Sequence, residues 1–452
     1  MKIRTHHTAL SVLAASAFFA LPAQANESKA SPFEFHAYGR LGIITGEKLT
    51  RAGKDQGDGS FGLPTSRHIR DMNYLRLQFV GNPGNGNSLN VETQLGNLPH
   101  LDNSWGKPNI DVRNAYFQTT VSPDAELWFG ARRLEFEDVR LFDKFPLSDT
   151  TFYGAGSKFA LAGTPTHVAI GFKERSSTAL VANNPSDVAL GNIEKNLSSR
   201  DTSLFIRHEY SLGSNLSIRP TLILNQSGDT LVDGAPITSY KTAITGNTEF
   251  QSTTLPEKTL SGKVGAVLSH WGDAGGGWGN HFLWLEQRAA AGTTGGSKKD
   301  TTIGLASSGD YEGFAAEKVG LMYGLMIEHT VFKNEQPKFK LQNDALVANG
   351  TGKSNTVVAL GLQPVYYITD RLHAALDLNH TLTTKVGPGA DKPNMTFVTP
   401  IVRYASNKNA LATPQFFTSV TYGVYETKAR QSSSGAATRT SITTQTGCEF
   451  WF

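Results

Sequence analysis

The final fifteen residues, 438–452, constrain the fold more than any other segment. They read TRTSITTQTGCEFWF. Because a β-strand points alternate side chains to opposite faces, Phe450 and Phe452 share one face, and Glu449 and Trp451 share the other. One face is therefore mostly apolar or uncharged, and the other carries the charge. An aromatic strand of this kind, behind a secretory signal, predicts an outer-membrane β-barrel, in which one face of each strand contacts lipid and the other a wet lumen.

The first 25 residues have the three parts of a secretory signal peptide. Lys2 and Arg4 form the charged region, residues 9–21 form an apolar segment too short to span a bilayer, and 23–25 (Ala-Gln-Ala) form a small-x-small cleavage site. We therefore expect one mature domain, the barrel at 26–452, and neither a plug domain nor a separate soluble domain.

Composition agrees with a barrel and argues against several other classes. Without Lys2 and Arg4 the net charge falls from +3 to +1, whereas a nucleic-acid partner would require a clustered basic excess. The mean hydropathy of −0.28 is low, but only every second residue of a membrane-spanning strand meets lipid. A single cysteine, Cys448, excludes an intrachain disulfide and a cysteine metal cluster. We expect no cofactor and no bound metal.

Alternating segments and turn signals divide the mature chain into eighteen predicted strands of an antiparallel up-and-down barrel. The predicted strands are 33–45, 73–81, 87–96, 110–121, 125–133, 156–162, 166–174, 201–212, 215–226, 259–271, 280–292, 317–332, 338–348, 354–368, 371–385, 394–406, 412–428 and 438–452. Short turns alternate with long loops, as periplasmic turns alternate with extracellular loops in bacterial barrels. The long loops are predicted at 46–72, 97–109, 134–155, 175–200, 227–258 and 293–316. A count of sixteen strands remains open if the weak pair at 156–174 belongs to a loop.

Several segments resemble the maltoporin family of sugar-specific porins. They are FHAYGRLGI at 35–43, DVRNAYFQ at 111–118, LWFGARRLEFEDVRLFDKF at 127–145, GAG at 154–156 and the terminal EFWF. The resemblance rests on the order and spacing of these segments more than on any single motif. It covers most of the mature chain. It implies a homotrimer of eighteen-stranded barrels in the outer membrane, each with an inward-folded third loop. It also implies diffusion of oligosaccharides along lumen aromatic residues and a polar constriction.

The resemblance implies four aromatic positions along the saccharide path. Tyr38 and Trp451 lie in the polar register of their strands, so we predict that both face the lumen. Trp105 matches a loop tryptophan that reaches into a neighbouring subunit, and Phe145 stands where the family has a constriction tyrosine. A flat aromatic surface suits the C–H face of a pyranose ring. The alternatives are membrane-interface aromatics for the strand residues and a loop anchor for Trp105.

The resemblance also implies five charged positions at the constriction. These are Arg40, Arg76, Arg113, Asp138 and Asp143. Arginine has a fork of five donors that suits vicinal hydroxyls or a facing carboxylate, and the family's aspartates face its arginines. The alternatives are a structural ladder of ion pairs and, for the aspartates, solvated loop carboxylates. For Arg113 the alternation is ambiguous, because Phe117 shares its register.

The chain departs from the family pattern at three positions. Asn90 stands in place of a tyrosine, Ile368 of a tryptophan and Phe136 of a third-loop arginine. The identity of the preferred sugar therefore stays open, and it can be a maltodextrin or another oligosaccharide or glucoside. The alternatives are a general or ion-preferring porin, and a structural or adhesive barrel whose long loops bind a surface partner. The sequence contains no recognisable catalytic motif, so we predict that the protein is not an enzyme.

Overall fold

A computed structural model describes residues 32–46, 74–96, 109–142, 144–147, 150–180, 194–226, 230–232, 235–236, 239–243, 250–254, 260–272, 277–289, 299–342, 345–383, 394–410, 412–427 and 437–451. The predicted signal peptide, Trp105 and Asp143 lie outside these residues, as do large parts of the predicted extracellular loops. No helix among the described residues is long and apolar enough to cross a membrane.

Eighteen antiparallel strands form one closed barrel, as predicted. The strands are β1 (Phe33–Gly46), β2 (Tyr74–Gly84), β3 (Asn87–Gly96), β4 (Asn109–Ser122), β5 (Ala125–Leu134), β6 (Thr150–Leu161), β7 (Thr164–Leu180), β8 (Glu194–His208), β9 (Leu216–Gln226), β10 (Leu260–Trp271), β11 (Trp278–Ala289), β12 (Lys299–Gly313), β13 (Val319–Gln342), β14 (Ala345–Tyr367), β15 (Leu372–Thr383), β16 (Asn394–Ala405), β17 (Gln415–Thr427) and β18 (Ala437–Trp451). Each strand pairs with the next along the chain, and β18 pairs with β1. Every barrel strand therefore has two neighbours, which removes the exposed edges of an open sheet.

A few short elements accompany the barrel. β8 continues after one residue as Tyr210–Ser211, and Thr230–Val232 and Ala235–Pro236 extend the sheet beyond it. Ser239–Ala243 and Phe250–Thr254 form a separate hairpin. A single helical turn, α1 (Phe314–Glu317), joins β12 to β13, and residues Arg140–Phe142 form a 3₁₀ turn.

The two faces of the strands differ as the alternation predicts. On the outer face, large apolar side chains such as Leu283 and Val402 are 58% and 55% exposed. On the inner face, polar side chains such as Thr302 and Asn379 are each 2% exposed. In a membrane the outer apolar side chains contact lipid, so their exposure here is the expected property of a membrane barrel.

Two details of the strand prediction are wrong although the number of strands is right. β12 lies within the segment 293–316, which we predicted as a loop, and the predicted strands 317–332, 338–348 and 354–368 form only two long strands, β13 and β14. The lumen face of β12 carries small residues, among them Gly304, Ala306 and Ser308. Small residues give little strand signal, and they occur here because bulky groups pack on them. The weak pair at 156–174 does belong to the barrel, as β6 and β7.

The third loop, between β5 and β6, folds into the barrel. Its residues Val139, Phe142 and Leu147 pack in one buried cluster with inner-face residues of β10 to β14, namely Val267, Phe282, Trp284, Ala306, Met326 and Ala359. Two wall glycines leave room for the loop. A Cβ atom added to Gly361 would lie 2.5 Å from the Leu141 side chain, and one added to Gly324 would lie 3.2 Å from the Phe142 ring. The glycines of β13 and β14 therefore form the seat of the loop.

The first residues of the loop contact a different sector of the wall. Phe136 stacks on Phe205 of β8, with ring centroids 5.6 Å apart and an interplanar angle of 7°. The guanidinium carbon of Arg207 lies 4.2 Å from the centroid of the Phe136 ring. Aromatic stacking and the cation–π contact hold this part of the loop against β8. The loop therefore crosses the lumen from β8 to the sector of β10 to β14.

Candidate functional site

A β-bulge directs Arg113 into the lumen. The pairing of β3 with β4 shifts so that Glu92 faces Asn114 while Thr93 faces Val112, which leaves Arg113 as the extra residue. The Arg113 side chain is 8% exposed and donates hydrogen bonds to Gln94 and Glu135. Phe117 stays on the outer face, 40% exposed. The ambiguity in the alternation of β4 thus has a structural cause, since the alternation changes phase at the bulge.

Glu135, the first residue of the third loop, is the shared partner of three arginines. Its carboxylate lies 3.1 Å from Arg76, 2.8 Å from Arg113 and 2.8 Å from Arg133. Arg76 Nε also donates to Gln94 Oε1 at 3.2 Å. These contacts hold the guanidinium groups of three strands at one height in the lumen. Three cations surround the Glu135 carboxylate, and the negative charge of Glu92 also acts on Arg113 and Arg133.

The carboxylates predicted to face these arginines are Asp138 and Asp143, whereas the structure places Glu135 there. Asp138 lies half-buried in the same loop, and Asp143 is outside the described residues. Glu137, which the sequence analysis also missed, contacts Arg207 at 2.5 Å and Arg219 at 3.2 Å. The signal that was available is the sequence Glu135-Phe136-Glu137 directly after the arginines of β5. An irregular loop has no strand periodicity, so its sequence does not predict which of its carboxylates faces the arginines.

A second group of residues lies at the seam where β18 meets β1. Glu449 accepts hydrogen bonds from the Tyr38 hydroxyl at 2.9 Å, from Arg40 Nε at 3.4 Å and from Gln415 Nε2 at 3.0 Å. Arg40 and Glu449 are 3% and 2% exposed. Burial strengthens such charge-assisted bonds because little water screens them. The seam therefore holds the Tyr38 ring and the Arg40 guanidinium in fixed positions.

Three aromatic side chains share the inner face around this seam. Tyr38 and Trp451 are direct cross-strand partners, and the rings of Tyr38 and Tyr74 are 5.7 Å apart. Trp451 is 57% exposed. The guanidinium carbons of Arg40 and Arg76 lie 5.9 Å and 5.7 Å from the Tyr38 ring centroid. The result is an aromatic surface flanked by fixed cations, which we call the seam aromatics (Tyr38, Tyr74 and Trp451).

Tyr74 and Arg132 are two inner-face residues that were not among the predicted site residues. Tyr74 lies two residues before Arg76 and thus in the same lumen-facing register, so the signal was present. The Arg132 guanidinium lies 4.6 Å from the centroid of Tyr116 and 5.5 Å from that of Trp128, both on the inner face. This cluster adds a second place where a cation and aromatic rings lie together in the lumen wall.

The remaining positions of interest lie as follows. Phe145 is half-buried in the third loop, and Asn90 faces the lumen and donates to Ser88 Oγ at 3.0 Å. Ile368 is 51% exposed in the turn after β14. Within the described part of the chain, no group of three or more His, Cys, Asp or Glu side chains is arranged to hold a metal ion.

Comparison with protein families decides the assignment. The family model described as LamB porin matches residues 33–452, which span the barrel from its first strand to its last. This chain belongs to the LamB porin family. It is therefore a porin, an outer-membrane β-barrel that forms a channel.

Solved structures resemble this porin only distantly, and no curated protein sequence matches it. OccAB4 of Acinetobacter baumannii is 14% identical with a TM-score of 0.48, and the match covers 94% of this chain and 100% of that one. OprD of Pseudomonas aeruginosa is 10% identical with a TM-score of 0.46, covering 93% of each chain. OmpT of Vibrio cholerae is 12% identical with a TM-score of 0.43, covering 95% and 100%. The assignment rests on the family model.

Proposed function

We propose that this porin is a saccharide-selective channel that allows sugars to cross the outer membrane by passive facilitated diffusion. The seam aromatics carry the proposal, because three aromatic rings share the lumen face beside the fixed guanidinium groups of Arg40 and Arg76. A pyranose ring has apolar C–H faces and a rim of hydroxyls. It therefore binds a flat apolar surface beneath it and hydrogen-bonding groups at its side.

The proposed path uses further residues from the family resemblance. Trp105 makes the first contact, Phe145 lines the narrow part, and the adjacent rings of Tyr38 and Trp451 lead from the narrow part to the exit. Arg40, Arg76 and Arg113 bind the hydroxyls together with Asp138 and Asp143. Weak and similar sites in a row suit transport, because the solute must leave as easily as it enters.

The polar side of this path is already organised without solute. Glu135 and Glu449 orient the arginines by contacts of 2.8 to 3.4 Å, so binding costs little side-chain ordering. The planar fork of a guanidinium, with its five donors, suits vicinal hydroxyl groups. Asn90, Phe136 and Ile368 replace family residues, and we therefore propose an oligosaccharide or glucoside substrate without restricting it to maltodextrins. Following the family, we propose a homotrimer.

The deciding experiment is planar-bilayer conductance of the purified protein, titrated with a panel of sugars. We expect saturable block of the ion current by one class of sugar and weaker block in the Tyr38→Ala and Trp451→Ala variants. The matched control is Tyr422→Ala, because Tyr422 lies on the outer face, 45% exposed. Its block should equal that of the unchanged protein. Steady conductance that no sugar alters would reject saccharide selectivity.

A general or ion-preferring porin is the second candidate, and one observation favours it. Arg76, Arg113 and Arg133 cluster around the Glu135 carboxylate, and a cluster of cations in the lumen wall attracts anions. The reversal potential in a salt gradient separates the two candidates. Strong anion preference together with insensitivity to sugars would support the general porin.

A further inference from the structure

The turn between β16 and β17, residues 406–414, is described except at residue 411, and its buried residues lie inside the mouth of the barrel. Its residues Ala410 and Ala412 are 1% and 4% exposed. Ala410 packs in a buried cluster with inner-face residues of five strands, which are Met322, Val365, Tyr367, Ala375, Ile401 and Phe417. A turn that merely joined two strands below the rim would not contact the inner wall. We call residues 406–414 the exit turn.

The exit turn reaches a strand that is distant along the wall. The backbone N–H of Ala410 donates to Glu312 Oε1 at 2.6 Å, and the Tyr367 hydroxyl donates to the second oxygen of Glu312. Glu312 is on β12, four strands from β16, which is about 19 Å along the wall at a spacing of about 4.8 Å. The turn therefore lies against the inner wall of the mouth over the sector from β12 to β17. Lys408 Nζ also lies 3.6 Å from Glu317 Oε2.

Arg403 fixes the near side of the exit turn. Its NH1 donates to the Ala410 carbonyl at 2.7 Å, its NH2 to the Asn409 carbonyl at 3.0 Å and its Nε to His373 Nδ1 at 3.1 Å. Arg403 is 5% exposed. Backbone carbonyls of an inward-folded turn need hydrogen-bond donors, and a buried guanidinium supplies several in one plane. The turn is thus held from β12 and from β16 at once.

The exit turn and the third loop occupy adjacent levels of the same side of the lumen. Phe142 of the loop packs on Gly324 of β13, and Met322, two residues along that strand, packs on the exit turn. The exit turn covers the wall of the short-turn mouth from β12 to β17. The seam aromatics lie on β18, β1 and β2, outside that sector.

We propose that the exit turn forms a second constriction, at the mouth on the side of the short turns, and that it directs solute along the wall past Trp451. This mouth is periplasmic in bacterial barrels. The part of the proposal that concerns saccharides rests on the proposed function. The part that concerns ion conductance through a narrowed mouth is independent of it.

The test shortens the exit turn. Ala405 and Gln415 are direct cross-strand partners, so residues 406–414 can be replaced by Asn-Gly, the preferred two-residue hairpin connection. Gln415, which binds Glu449, stays in place. We expect the single-channel conductance to rise, and the rate at which a blocking sugar leaves toward the periplasmic side to rise with it. Unchanged conductance in a folded shortened variant would overturn the proposal.

A second variant tests the same point without changing the chain length. Glu312→Ala removes the acceptor of the Ala410 N–H and should raise the conductance or its fluctuations. Asn407→Ala is the control, because Asn407 lies in the same turn with an exposed side chain, and it should leave the conductance unchanged. Heat-modifiable electrophoretic mobility reports whether each barrel is folded. If the shortened variant does not fold, the conductance of Glu312→Ala tests the proposal.

The two proposals fail in different ways. A rise in conductance with no effect of any sugar on any variant would keep the second constriction and reject saccharide selectivity. Sugar block of the unchanged protein with equal conductance in all variants would keep the saccharide channel and reject the constriction.

Discussion

Tyr38 and Trp451 are direct partners in the antiparallel pair of strands that closes the barrel. Directly opposed residues point to the same side of a sheet, with Cβ atoms about 4.5–5.5 Å apart. The last strand of the chain therefore completes an aromatic surface that the first strand begins. Closure of the barrel therefore also forms the candidate site, because Tyr38 and Trp451 are not neighbours in an open sheet.

The hydroxyl and the ring of Tyr38 have separable roles. In Tyr38→Phe the ring remains but the hydrogen bond to Glu449 is lost, whereas Tyr38→Ala removes both. An aromatic contact contributes about 0.5–1.5 kcal/mol, so we expect Tyr38→Ala to weaken sugar block by about two- to tenfold. Tyr38→Phe should weaken it less. Titration of the current block measures both, and equal block in all three proteins would exclude Tyr38 from the path.

Tyr74 should matter as much as Tyr38, because the two rings are 5.7 Å apart on the same face. We expect Tyr74→Ala to weaken sugar block by about two- to tenfold. Phe79→Ala on the same strand is the matched control, since Phe79 faces outwards and is 50% exposed. If both substitutions reduce the block equally, a general disturbance of β2 and not a binding contact is the cause.

The sequence alone predicts the seam well, and the reason is its regularity. A strand has a period of two, so the register of Glu449 places Trp451, and that of Arg40 places Tyr38. The same rule fails at Arg113, because the extra residue of a bulge changes the phase and is not encoded in the alternation. β12 escapes prediction because its small lumen residues make room for Trp284 and the third loop, which are remote in sequence.

The irregular segments show where such prediction ends. Glu135 binds Arg76 and Arg113, although it was not among the predicted site residues. The conformation of a loop depends on its contacts with the barrel wall, and its sequence has no strand period. The exit turn has the turn-forming residues of an ordinary connection. Its position inside the mouth depends on Glu312 and Arg403, which lie on two different strands.

Removal of the Glu135 charge should change ion selectivity. Glu135→Gln keeps the shape of the side chain but leaves Arg76, Arg113 and Arg133 without this shared carboxylate. We expect the reversal potential in a salt gradient to shift toward stronger anion preference, because the local positive charge is less balanced. Glu126→Gln is the control, since Glu126 accepts a hydrogen bond from the amide of Gln118 at 3.2 Å. A shift of equal size in both variants would mean that the lumen responds to net charge alone.

The glycine seat of the third loop should control the width of the channel. A Cβ atom at Gly361 would lie 2.5 Å from Leu141 and 2.9 Å from the Phe142 ring, so Gly361→Ala forces the loop away from β14. Overpacking of a well-packed site costs about 1–3 kcal/mol. We expect a lower free energy of unfolding and a changed single-channel conductance, because a displaced loop alters the narrow part of the lumen. Gly213→Ala is the control, since a Cβ atom there has no neighbour within 4 Å. Unchanged conductance in a folded Gly361→Ala variant would show that the third loop does not set the width of the channel.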